Sequence, residues 1–266
     1  MKNNHLIVMA LIVLTSACVP SIQPPTPRPF VAGISSTMTK SVFEATERAK
    51  ITPTVTAGNP NPNMTATPDI YTNFRDDFDE KLQPGWEWIN EDPKMWSLTN
   101  TAGTLQIQSE FGEIRRGSAK NVLLRSAPRG DFMVETNLNF SPDENDQFAG
   151  LVLFASETDF VQAGLGYCAP TVGCIKRGFY IDTYEGGKLL LPRRAFTFNE
   201  DIIFVRLVVQ NGSLSTFTSP DGKVWYRTGK QGLNFTPTKI GLFTGQNSYD
   251  IIIPAWFGYF EATLLK

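Results

Sequence analysis

Few residues in this chain have side chains that do chemistry. Its only histidine is His5, in an N-terminal segment expected to be removed. A mature chain without histidine cannot hold a Ser-His-Asp triad, a Cys-His pair or a His-ligated metal. Three cysteines are present, Cys18, Cys168 and Cys174. The last two flank the Pro- and Gly-containing stretch Cys168-Ala-Pro-Thr-Val-Gly-Cys174. That spacing is wider than a Cys-x-x-Cys redox pair, and a metal would need more ligands. Outside the cytoplasm a structural disulfide is the expected outcome, with two free thiols as the alternative. Asp76, Asp77 and Asp79 could contribute oxygens to a structural Ca²⁺, which wants several such ligands, or could form a solvated edge. No other cofactor is expected. With 24 Lys+Arg against 26 Asp+Glu and a net charge of −2, the chain lacks the clustered basic surface that nucleic-acid binding requires, so no nucleic-acid partner is expected.

Three segments must position these residues. Residues 1–17 begin with Lys2 and continue into the unbroken apolar run Leu6–Leu14. The run is less than half of the roughly 20 residues a spanning helix needs, so it reads as a signal peptide. Leu14-Thr15-Ser16-Ala17-Cys18 resembles the lipobox of bacterial lipoproteins, although Thr15 stands where Leu is usual. The resemblance implies lipid attachment at Cys18, a membrane partner through that lipid, and an extracytoplasmic location in the cell envelope. An ordinary signal peptide cleaved near Ala17 is the alternative.

Residues 18–69 hold the lipidated Cys18 and then Pro20, Pro24, Pro25, Pro27, Pro29, Pro53, Pro60, Pro62 and Pro68 among Thr, Ser, Ala and Asn. Such a composition buries too little apolar surface to offset chain entropy and predicts a disordered tether. A coil of this length reaches roughly 40 Å.

Residues 70–266 are the expected folded unit and contain all the tryptophans. Short runs rich in Val, Ile, Phe, Thr and Tyr alternate with Gly, Pro, Asn and Asp, and no stretch keeps a helical period. Strands are predicted at 103–109, 121–126, 131–140, 147–155, 159–167, 175–184, 202–210, 213–218, 223–228, 239–245 and 255–265. A run of strands without crossover helices predicts an all-β fold, an antiparallel two-sheet β-sandwich with its first and last strands close together. Alternation places Phe132, Val134, Leu138, Phe140, Val205, Leu207 and Leu242 between the sheets. Asp221-Gly222 reads as a hairpin turn that returns Trp225 to the sheet.

The order of several short motifs carries a resemblance. Asp77-Phe78, Trp86-Glu-Trp88, Trp96-Ser-Leu98 and Gly103-Thr-Leu-Gln-Ile107 come first. Ala149-Gly-Leu-Val152 with Asp159-Phe160, Val205-Arg-Leu-Val208, Phe217-Thr-Ser-Pro-Asp-Gly-Lys-Val-Trp225 and Ala255-Trp-Phe-Gly-Tyr-Phe260 follow. Together they resemble the concanavalin A-like lectin/glucanase jelly roll, and in particular the C-terminal module of family 43 β-xylosidases. The resemblance spans about residues 72–266. It does not extend to the catalytic propeller of those enzymes and so does not imply xylosidase activity.

That fold implies a polysaccharide or glycan as partner. Alternation then selects the candidate ligand-binding face. It comprises Glu135, Asn137 and Asn139 from strand 131–140, Gln162 from 159–167, Tyr180, Asp182 and Tyr184 from 175–184, and Arg206 from 202–210. These side chains are expected to converge in one cleft, where aromatic faces meet sugar C–H groups and the polar groups meet hydroxyls. A solvated face on which Glu135 and Arg206 form a cross-strand ion pair is the alternative. Laminarinase-type jelly rolls carry a Glu-x-Asp-x-x-Glu strand; here the comparable stretch begins at Glu135 and lacks the second and third acids. The expected function is therefore non-catalytic carbohydrate binding by a tethered surface lipoprotein, with no catalytic residues. A glycoside hydrolase or polysaccharide lyase using Glu135 with Asp182, and a structural or protein-binding surface domain, are the alternatives.

Overall fold

A computed structural model of the chain describes residues 73–169, 174–247 and 251–266. The signal segment, Cys18 and the tether lie outside the described residues. The strands, numbered in chain order, form two sheets in which every ladder is antiparallel. The first sheet runs β14 (Tyr226–Gly232), β13 (Ser213–Ser219), β12 (Ile202–Gln210), β6 (Phe132–Asn139), β16 (Pro254–Leu264), β4 (Leu105–Gln108), β3 (Trp96–Ser97), with β1 (Phe74–Asp76) also on β16. The second runs β10 (Lys188–Leu189), β9 (Lys176–Glu185), β8 (Phe160–Cys168), β7 (Phe148–Phe154), β15 (Lys239–Gly245), β5 (Val122–Ser126), β2 (Glu87–Ile89), with β11 (Arg194–Thr197) also on β9. The first and last strands pair directly, Phe74 opposite Ala262. Among the described residues the one helical element is a 3₁₀ turn, Ile114–Arg116.

The sandwich follows from period-2 burial. In β6, Phe132, Val134 and Leu138 are fully buried while Met133, Asn137 and Asn139 are not. These residues, with Phe140, Val205, Leu207 and Leu242, join a core fed by both sheets, as alternation predicts. Each such Leu, Val or Phe contributes about 1.5–3 kcal/mol of transfer free energy. A second apolar cluster lies on the outer face of the second sheet. It gathers Phe148 (β7), Phe160 (β8), Tyr180 (β9) and Phe243 (β15), and Ile114 of the 3₁₀ turn packs on it.

The strand predicted at 223–228 starts later, at Tyr226. The preceding backbone N–H groups are taken by side chains. Asp221 Oδ1 accepts from Lys223 and Val224, and Ser219 Oγ accepts from Gly222. Gly222 has φ 72°, the left-handed turn position expected for it. The shortest strands, β1, β2, β3, β10 and β11, have too few residues to show an alternation.

Candidate binding cleft on the second sheet

The cleft is built on register. Val161, Ala163 and Leu165 of β8 enter the core, so Gln162 faces outward. Phe179 and Ile181 of β9 enter the core, which turns Tyr180, Asp182 and Tyr184 outward. Gln162 stands directly opposite Asp182, and Phe160 opposite Tyr184. Gln162 Nε2 donates to Asp182 Oδ2 at 3.2 Å. The Tyr184 and Phe160 rings stack at 4.6 Å with 16° between planes. Gly166 forms part of the floor, where an added Cβ would sit 3.1 Å from Phe148 Cδ2.

The walls come from connections. The chain between β4 and β5 lays Glu113 and Arg115 along one side. Gly112 makes that path possible: its φ is 150°, and a Cβ there would lie 2.2 Å from the Ser118 carbonyl oxygen. Arg193, between β10 and β11, closes the floor over Asp182. Its Nε and one Nη donate to the two Asp182 oxygens, each at 2.6 Å. The other Nη lies 3.2 and 3.4 Å from the sulfurs of Cys168 and Cys174. The guanidinium carbon sits 4.5 Å over the Tyr180 ring. The enclosed volume is about 300 Å³.

Electrostatics follow from this packing. Asp182 is 0% exposed, so its charge is held only by its partners. Burial works against the Arg193 cation, but hydrogen bonding and charge attraction to Asp182 outweigh it and raise its pKa. Burial raises the Tyr180 phenol, whose hydroxyl donates to the Lys176 carbonyl and accepts from Ile175 N–H at 3.2 Å. Burial, with the nearby Asp182 charge, pushes Tyr184 up to about 12. Cys168 and Cys174 are disulfide-bonded with Cα atoms 5.3 Å apart, within the usual range.

The eight residues expected in one cleft separate into two groups. Gln162, Tyr180, Asp182 and Tyr184 line the cleft. Glu135, Asn137, Asn139 and Arg206 belong to β6 and β12 of the other sheet. Each strand turns the expected side away from the core, but the strands belong to opposite layers, so the two groups face away from each other. Glu135 and Asp182 therefore cannot flank one glycosidic bond.

On the first sheet Glu135 stands opposite Arg206 and pairs with it at 2.6 Å. Tyr259 hydroxyl donates to the other Glu135 oxygen, and Arg206 lies 3.7 Å over the Trp225 ring. Burial and the Glu135 hydrogen bond raise the Tyr259 pKa. Arg75 covers Tyr259 at 4.2 Å and reaches Glu261 at 2.6 Å, so the like charges Glu135 and Glu261, cross-strand neighbours, are each compensated. This is the cross-strand ion pair of the alternative reading, enlarged into a network.

Two of the acidic side chains near the start, Asp76 and Asp77, are used internally. Asp76 is buried and accepts from the N–H groups of Phe78 and Gln83 and from Trp86 Nε1. Asp77 pairs with Arg75 at 2.7 Å. N–H donors around a carboxylate are the opposite of an oxygen cradle for a cation. Among the described residues no three His, Cys, Asp or Glu side chains gather as metal ligands.

Arg193, Glu113, Gln147 and Gln246 also line the cleft and were not predicted. Arg193, Glu113 and Gln246 sit in connections or beyond strand ends, where no periodicity assigns a face, and Gln147 opens the predicted strand 147–155 in phase with core-facing Ala149. Two antiparallel sheets packed on a shared core make this a jelly-roll-type β-sandwich. Residues 75–263 match the beta xylosidase C-terminal concanavalin A-like domain, and the chain belongs to that family.

Among solved structures, the family 43 protein BlXynB of Bacillus licheniformis is 19% identical with a TM-score of 0.63, covering 72% of this chain and 39% of that one. A xylan beta-1,4-xylosidase from Bacillus halodurans is 19% identical with a TM-score of 0.60, covering 78% and 41%. A protein of unknown function from Saccharomyces cerevisiae is 15% identical with a TM-score of 0.52, covering 68% and 97%. At these identities the likeness shows the fold. The chain spans about two fifths of the length of the two bacterial proteins. A comparison with curated proteins finds no match.

Proposed function

We propose that this chain is a surface lipoprotein, held to a bacterial membrane by lipid on Cys18, whose β-sandwich binds a glycan without cleaving it. The observation that carries the binding reading is the cleft itself. It joins the Tyr184–Phe160 stack to the amide of Gln162 and the Asp182–Arg193 pair in about 300 Å³. Aromatic faces beside fixed polar groups suit sugar rings. Relatedness to a carbohydrate-active domain points the same way. The non-catalytic reading is supported by two of the three cleft carboxylates, Asp182 and Glu113, being held in ion pairs by Arg193 and Arg115. Hydrolysis calls for two carboxylates about 5–9.5 Å apart and free to act.

The test is titration calorimetry of the detergent-solubilised full chain with xylohexaose, cellohexaose and mannohexaose. Tyr184→Ala is expected to weaken binding tenfold or more, and Arg206→Ala, on the other sheet, to leave it unchanged. Loss in Arg206→Ala with retention in Tyr184→Ala would move the site to the first sheet. Reducing ends released on incubation would replace binding by hydrolysis.

A further inference from the structure

Gln147 and Gln246 meet at one end of the cleft, 1% and 2% exposed. The network decides which way both amides point. Gln147 Oε1 accepts from the backbone N–H groups of Asp143 and Glu144 at 2.9 and 3.0 Å. Gln147 must then present its NH₂ to Gln246, and Nε2 reaches Gln246 Oε1 at 3.4 Å. This fixes the Gln246 oxygen as acceptor and leaves its NH₂ as donor. That Nε2 is buried in the cleft wall with no partner among the described residues. An orphaned buried donor costs about 1–3 kcal/mol, and of the four unpartnered buried side-chain atoms among the described residues this is the one whose residue lines the cleft.

Charge decides what carries that acceptor. The cations lining the cleft are Arg115 and Arg193; Arg193 pairs with Asp182, and Arg115 pairs with Glu113, which Arg116 also reaches at 3.4 Å. A third carboxylate, Asp146, accepts, among the described residues, from the side-chain amides of Asn145 and Asn247 at 3.1 and 3.2 Å and has no ion pair. The described lining thus holds three carboxylates against two guanidinium groups, each of which already pairs with a carboxylate. A uronate would bring its charge beside Asp146 unpaired, which is costly in a partly enclosed site.

We infer that the cleft takes an uncharged saccharide and that the Gln246 amide donates the hydrogen bond that reads one of its oxygens. The inference deepens the glycan-binding reading and rests on it. It is tested with the full chain by titration with xylohexaose, cellohexaose, mannohexaose and hexagalacturonate. At least one neutral hexasaccharide should bind tenfold or more tightly than hexagalacturonate. Gln246→Glu keeps an acceptor for Gln147 but removes the donor, and Gln246→Met removes both. Each should weaken the neutral ligand by roughly tenfold, the effect of one buried hydrogen bond. Both variants retain the backbone bonds of residue 246 to Glu110 and Gly112, and a thermal melt checks their folding.

Hexagalacturonate binding as tightly as the best neutral ligand, or unchanged affinity in a folded Gln246→Glu, would overturn the inference and leave glycan binding standing. Binding of none of the four would overturn both. The wild-type comparison decides the charge question whatever the stability of the variants.

Discussion

Tyr184 and Arg193 show how single residues in the cleft report on their surroundings. Tyr184 is kept protonated by burial up to about pH 12, whereas in the unfolded chain it ionises near pH 10. Its folded pKa is raised, so its contribution to stability is complete below about pH 10 and is lost as pH rises toward 12. Stability of Tyr184→Phe should therefore fall less steeply through that window than wild type. The tyrosinate absorbance of the variant should also lack part of the late-titrating component. Equal slopes in the two proteins would mean that Tyr184 is solvated. Arg193 sets a larger balance, since it alone neutralises the fully buried Asp182. Arg193→Ala should cost about 3–5 kcal/mol in urea unfolding, because it strands a buried charge. Adding Asp182→Asn should recover part of that loss, the coupling expected of a contacting pair. Tyr180→Ala is a poor probe of binding for a related reason: the ring is 1% exposed and belongs to the second apolar cluster, so its removal opens a cavity.

Between elements, the Cys168–Cys174 bridge ties the end of β8 to the approach to β9, beside Arg193. The loop it closes is short, so loop entropy assigns it about 2 kcal/mol. Cys168→Ser/Cys174→Ser should lower the free energy of unfolding in urea by that amount, and reductant should lower that of wild type equally and of the variant not at all. The strands also mark what can be read from sequence and what cannot. Alternation assigned the inward face of β6, β8, β9 and β12, because burial on one side imposes period 2. It could not tell which strands share a sheet. A sandwich has one core and two outer faces, and a residue pointing away from the core looks the same on either. Glu135 and Arg206 were therefore grouped with Gln162 and Asp182, though long-range pairing puts them in opposite layers. Arg193 and Gln246 left no trace in the pattern, because a connection has no period, and Gln147 opens the predicted strand 147–155 in phase with core-facing Ala149, so alternation points it inward rather than to the cleft.

At the scale of the whole molecule, the proposed arrangement is a glycan-binding sandwich on a tether that starts at a lipid. Its β1 pairs with β16 in the first sheet, while the cleft lies on the second. In this proposal the anchor depends on Cys18, because the apolar run Leu6–Leu14 is too short to span a bilayer. A single acyl chain holds a protein to a membrane only marginally, and stable anchoring needs more than one. Lipidation at Cys18 should therefore appear as multiple acyl groups on the mature N-terminus by mass spectrometry. Cys18→Ala should either retain its signal segment or leave the membrane fraction, while the purified variant keeps the glycan affinity of wild type. An unmodified N-terminus at another residue in the wild-type protein would end the lipoprotein reading without touching the cleft. A Cys18→Ala protein that stays with membranes after the signal segment is cleaved would mean that some other part of the chain holds it there.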